Sequence, residues 1–149
     1  MPLFNKKRST IIFSTPRGTH EADLFEGLAS ATIMPGDLIL PDGSGNVVPL
    51  PTADYTGILY VAIEDRYQTD EDRRSGIESA DLPYNAGDTV TYTRLMQGFR
   101  IQSRATVAVA INDGISTDAA GKTKTGGTLR GVTVTAQPTI GDRYIWEVA

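Results

Sequence analysis

The chain has 149 residues, 40% of them hydrophobic and 21% charged, which suits one globular domain and is too apolar for a disordered segment. It has no cysteine and a single histidine, His20, so disulfide frameworks, thiolate chemistry and multi-histidine metal sites are excluded. The net charge of -4 is uneven: Lys6, Lys7, Arg8 and Arg17 fall in residues 1–20, which hold no acid, and of 14 bases in all this leaves 10 against 18 acids in the remainder.

Residues 1–20 read as an extended basic arm, with strand composition over Thr10–Thr15 and a break at Pro16-Arg17-Gly18. No apolar stretch follows the basic residues, so the arm is not read as a signal peptide, and no run approaches the roughly 18 residues of a membrane span. Ile11, Ile12 and Phe13 are expected to pack on the body or on a neighbouring chain rather than stand in water. Residues 21–149 read as a single β-domain. Ala22, Phe25, Leu28 and Ala29 have helical spacing, but Gly27 and the β-branched Thr32-Ile33 favour a strand over Leu28–Met34.

Pro35-Gly36-Asp37 predicts a turn, Leu38–Leu40 a strand and Pro41–Asn46 a second turn. Val47–Leu50 follows as a strand that Pro49 marks as an edge, and Thr56–Ile63 as a central one. Residues 64–81 are rich in charge and predict a long exposed loop. Tyr84–Asp88 is a turn, Thr89–Thr93 alternates as a half-buried strand, and Gly98–Gln102 answers it across Met96-Gln97. Ala105–Ile111 is the most apolar stretch. Asn112-Asp113-Gly114 and Ala120-Gly121-Lys122 are turns flanking a strand at Ile115, and Leu129–Thr135 pairs with Arg143–Val148. Short strands with a turn every few residues predict an all-β fold, a small antiparallel barrel or sandwich carrying the N-terminal arm.

The chemical motifs are incomplete. Gly121-Lys122-Thr123 resembles the end of a phosphate loop, but the glycine required five residues earlier is Ser116 and no helix pattern follows. Asp42-Gly43-Ser44-Gly45-Asn46 spaces oxygens like the start of a calcium loop, but Val47 and Ala53 replace the glycine and the bidentate glutamate. His20 has no nucleophile beside it. Asp54-Tyr55-Thr56-Gly57 and Arg74-Ser75-Gly76 are similar to motifs of trimeric dUTP nucleotidohydrolases but stand in the reverse order. The acidic body, with a sequence pI near 4.9, argues against a nucleic-acid partner. Asp70, Glu71, Asp72, Arg73 and Arg74 make the charged loop an interface candidate.

Two regions carry a family resemblance. One runs from Gly27-Leu28-Ala29-Ser30 through Ile33-Met34-Pro35-Gly36-Asp37-Leu38 to Asp42-Gly43-Ser44-Gly45-Asn46-Val47-Val48 and Gly57–Ala62. The other runs from Tyr84-Asn85-Ala86-Gly87-Asp88-Thr89-Val90 through Ala120-Gly121-Lys122 to Gly131–Val134 and Tyr144–Val148. In this order they resemble the capsid decoration, or cement, proteins of tailed bacteriophages. The resemblance covers most of residues 27–148; the arm and the 64–81 loop lie outside the common pattern. It implies a structural protein without catalysis, metal or cofactor. Such a protein is made in the host cytoplasm and sits on the virion exterior, bound to the major capsid protein as a trimer. On that reading Lys6, Lys7, Arg8 and Arg17 face acidic capsid groups, while Ile11, Ile12 and Phe13 anchor on the shell or a neighbouring copy. The alternative is a virion-surface adhesion module binding carbohydrate through Tyr55, Tyr60, Tyr67, Tyr84 and Trp146.

Overall fold

Short strands separated by tight turns fold into a barrel and a flanking sheet. The computed structural model describes residues 24–64 and 81–149, with the backbone of residues 11–13. Strands β2 (Phe25–Ala29), β3 (Leu38–Pro41), β4 (Asn46–Pro49), β5 (Tyr60–Ala62) and β6 (Thr89–Arg94) close the barrel in the order β2-β4-β3-β5-β6. Strands β1 (Ile11–Phe13), β7 (Arg100–Arg104), β8 (Gly114–Thr117), β9 (Thr123–Thr125), β10 (Gly131–Thr133) and β11 (Arg143–Val148) form a six-stranded sheet, β1-β7-β11-β10-β8-β9.

The strand period of two sorts the side chains into two cores. Ile39, Val47, Ala62, Val90 and Tyr92 fill the barrel lumen. Gly27 faces the same lumen, where a Cβ would lie 2.9 Å from the Val47 side chain. The alternate residues Leu38, Leu59 and Val61 leave the barrel wall and pack against Ile101, Ile115 and Trp146 of the sheet. Trp146 is fully buried, and truncating it to alanine should cost about 3–5 kcal/mol.

One turn form recurs at the joints. In Met34–Asp37, Asn85–Asp88 and Ala110–Asp113 the terminal aspartate takes the first residue's N–H onto its carboxylate, at 2.9, 2.8 and 2.8 Å. The aspartate's own N–H returns to the first residue's carbonyl. The third residue has positive φ: Gly36 at 92°, Gly87 at 90° and Asn112 at 67°. The first of these turns ties the two layers together. Gly36 donates to the Ala62 carbonyl in the barrel, while its own carbonyl accepts from Ser103 Oγ in the sheet, which in turn accepts from Trp146 Nε1.

The all-β expectation holds, with corrections. The strand expected over Leu28–Met34 is β2 at Phe25–Ala29; Ser30–Met34 leaves the ladder for an isolated bridge, Ile33 to Tyr84. The β2–β4 pairing is parallel, in an otherwise antiparallel barrel. β4 is not an edge strand: Pro49 is tolerated because β2 pairs only as far as Val47. The central strand expected over Thr56–Ile63 shortens to Tyr60–Ala62. β6 is not half-buried, because the lumen covers Val90 and Tyr92 while the shared core covers Thr91 and Thr93. β7 does not answer β6 as a hairpin; the chain crosses there from barrel to sheet. Ala105–Ile111 is no strand, since the Asp113-capped turn begins at Ala110 and only Val109 bridges, to Gln137. The final strand pair shortens on its first side to Gly131–Thr133.

Candidate interaction surfaces

Most of the sequence-predicted contact residues lie outside the described part of the chain: Lys6, Lys7, Arg8, Arg17 and His20 in the arm, and Asp70, Glu71, Asp72, Arg73 and Arg74 with Tyr67 in the loop. Ile11, Ile12 and Phe13 form β1. It pairs antiparallel with β7, Ile11 opposite Ile101 and Phe13 opposite Arg100, and so extends this chain's own sheet.

Asp81, where the charged segment ends, opens onto a cleft of about 420 Å³ lined by Met34, Arg104, Asp142 and Arg143. Arg104 and Arg143 face each other directly across the β7–β11 ladder, a like-charge pair that would repel. Asp81 sits against both: its carboxylate accepts from Arg104 and lies 3.6 Å from Arg143 Nε. Arg104 also donates to the Gly141 carbonyl at 3.2 Å. Two cations and two acids thus balance at the rim.

The tyrosines and tryptophan proposed to line a groove are mostly committed elsewhere. Trp146 and Tyr84 are buried, and Tyr84 donates to the Ile63 carbonyl at 2.7 Å. Tyr55 packs against the shared core. Tyr60 is half-buried like Tyr55, packed against the barrel core at one mouth of the barrel. There the Tyr92 ring stands 5.8 Å from it edge-on and 5.6 Å from the exposed Phe25 ring. Burial and the neighbouring Tyr60 hydroxyl push the Tyr92 hydroxyl pKa up. Phe25 and Tyr92 were not singled out from sequence, although the alternation of Thr89–Thr93 already placed Tyr92 with Val90 on one face.

The incomplete motifs have structural work. Asp42 caps its hairpin, taking the N–H groups of Ser44 at 2.7 Å and Asn46 at 3.2 Å, which lowers its pKa. Asp54 accepts from Thr128 N–H at 2.9 Å and pairs with Lys124 at 3.1 Å, so its carboxyl too is held low. Lys122 reaches Asp37 at 2.6 Å, although burial outweighs that ammonium and raises the Asp37 pKa. Arg130 clamps the carbonyls of Tyr55 and Gly57 at 2.7 and 3.0 Å. Among the described residues no three acids or histidines gather where they could hold a metal ion, and no helix is long and apolar enough to cross a membrane.

No protein-family model and no curated protein matches the sequence. Among solved structures, the chain is similar to the head fiber gp8.5 N base in bacteriophage phi29. The TM-score is 0.56 at 14% identity, over 87% of this chain and 95% of that one. At this identity the likeness shows a shared fold.

Proposed function

We propose that the protein is a structural component of a phage head: a decoration protein that binds the outside of the expanded shell and reinforces it. The observation that carries this reading is the fold shared with a head fiber base over nearly its whole length, in a chain whose motif order resembles capsid cement proteins. The built features agree with a rigid passive part. The Gly-Lys-Thr, Asp-Tyr-x-Gly and calcium-like motifs are all absorbed in turn closure and ion pairing within the fold. On this reading the protein works without catalysis, metal or cofactor, and its partner is the major capsid protein.

The basic arm supplies the docking segment. Several identical arms engaged on one shell multiply the modest affinity of each. The test is co-sedimentation with expanded shells lacking the protein, at low and high salt. Saturable binding at a fixed ratio to the capsid protein is expected. Salt should weaken it through Lys6, Lys7, Arg8 and Arg17, and a chain lacking residues 2–10, which keeps β1 on β7, should remain folded and lose shell binding. Absence of binding at either salt would refute the assignment, and full-affinity binding by the truncated chain would refute the role of the arm.

A further inference from the structure

The barrel carries two complementary exposed stripes, on opposite faces of its wall. On the first, Leu95 N–H donates to the Leu59 carbonyl at 2.8 Å and continues the β5–β6 ladder past the Tyr60–Arg94 pair. Leu59 and Leu95 both point into the shared core. Strand alternation therefore puts Ile58 and Met96 on the other face, with Tyr60 and Arg94, and they are 49% and 59% exposed. The exposed Phe25 ring and the Tyr92 ring continue that stripe across the barrel mouth. Its composition of Phe, Tyr, Arg, Ile and Met is that of a protein–protein contact.

The second stripe is the outer face of β2. Gly27 and Ala29 turn inward, so Leu24, Glu26 and Leu28 turn outward, and all three are exposed. One stripe is a cation among aromatic and aliphatic groups; the other is an acid between two leucines. Among the described residues neither the Arg94 nor the Glu26 side chain makes a hydrogen bond or ion pair. The strand wall separates the two stripes, so the match can be made only between molecules.

We infer that the occupant of the Arg94 stripe is a second copy of this chain, which presents its Leu24–Glu26–Leu28 face in a head-to-tail contact. A heterologous contact of this kind closes into a ring of identical copies when its rotation permits. Arg94 of one copy then pairs with Glu26 of the next, inside a rim of apolar contacts that excludes water. This inference does not depend on capsid binding.

The test is sedimentation velocity of the full chain from micromolar to millimolar concentration. The wild type should self-associate. Arg94→Glu and Glu26→Arg should each weaken association about tenfold or more, because each sets like charges against one another. The double variant, which restores opposite charges in reversed order, should recover it. Both sites are on the surface, and circular dichroism checks that each variant folds. A chain that stays monomeric throughout would overturn the inference. So would single variants that associate like the wild type, or a double variant no better than the singles. Binding of a saccharide at the barrel mouth by a monomeric chain would assign the stripe to a sugar and overturn it equally.

Discussion

Two glycines at the same position of the same turn offer a controlled perturbation. Gly36 and Gly87 have φ of 92° and 90°, so alanine at either meets the same left-handed strain, about 1–2 kcal/mol. Their surroundings differ. A Cβ at Gly87 would meet no atom within 4 Å, whereas one at Gly36 would lie 2.5 Å from the Gln102 carbonyl oxygen and 3.4 Å from Ser103 Cα. Those are backbone atoms of a central region of the sheet and cannot swing aside. Relieving the overlap means moving β7 away from the turn that joins it to the barrel, at a further cost of about 1–3 kcal/mol. Gly87→Ala should therefore destabilise by about 1.5 kcal/mol and Gly36→Ala by about 3.5 kcal/mol, which at this chain length lowers Tm by about 4 and 10 °C. Urea titration followed by the fluorescence of the single, buried Trp146 measures both. Equal losses in the two variants, within about 0.5 kcal/mol, would refute the argument that the Gly36 turn is the packed joint between the layers.

Two titrations test the buried polar groups. Burial raises the Asp37 carboxyl above the ordinary value of 3.8, so as pH rises from there the unfolded chain releases this proton before the folded one does. The folded state then binds more protons, and this group's contribution to stability falls across that window. Asp37→Asn should flatten the decline relative to wild type in denaturation series at successive pH values, and parallel curves would sink the assignment. The Tyr144 hydroxyl, buried and hydrogen-bonded to Thr123, is pushed up to about 12 from an ordinary value of 10. Alkaline absorbance titration should show it ionising last, with stability falling from pH 10 towards 12 as the unfolded chain alone loses that proton. Tyr144→Phe should abolish that late step and cost about 1–3 kcal/mol by stranding the Thr123 hydroxyl; a late step that survives would belong to another tyrosine.

The turns were legible in the sequence because their chemistry is local. Gly36-Asp37 and Gly87-Asp88 place a residue free to take positive φ beside a carboxylate that caps the turn, and no distant partner is needed. Asn112-Asp113 makes the third turn with asparagine, the residue next most tolerant of that backbone. The all-β class follows from the same local signals. Strand ends and pairings were less legible. The apolar run Ala105–Ile111 has the composition of a strand, yet an aspartate-capped turn starts at Ala110 and takes it out of the ladder. The polar Thr91 and Thr93 look solvent-facing, yet a second layer covers them.

Which neighbour covers a face is a long-range fact, and it separated the surface from the core here. Trp146, Tyr84 and Tyr60 are aromatic residues of similar promise in the sequence. Only the packing of sheet on barrel sends the first two inside and leaves the third at the mouth, beside Phe25 and Tyr92. The pairing of Lys122 with Asp37, 85 residues apart, and of Lys124 with Asp54, 70 apart, likewise has no local signature. Composition, charge asymmetry and turn chemistry are properties of neighbouring residues, so the sequence determined them by itself. The closure of five strands into a barrel, the parallel β2–β4 pair and the two exposed stripes arise from contacts between distant segments, and the tertiary structure alone decided them.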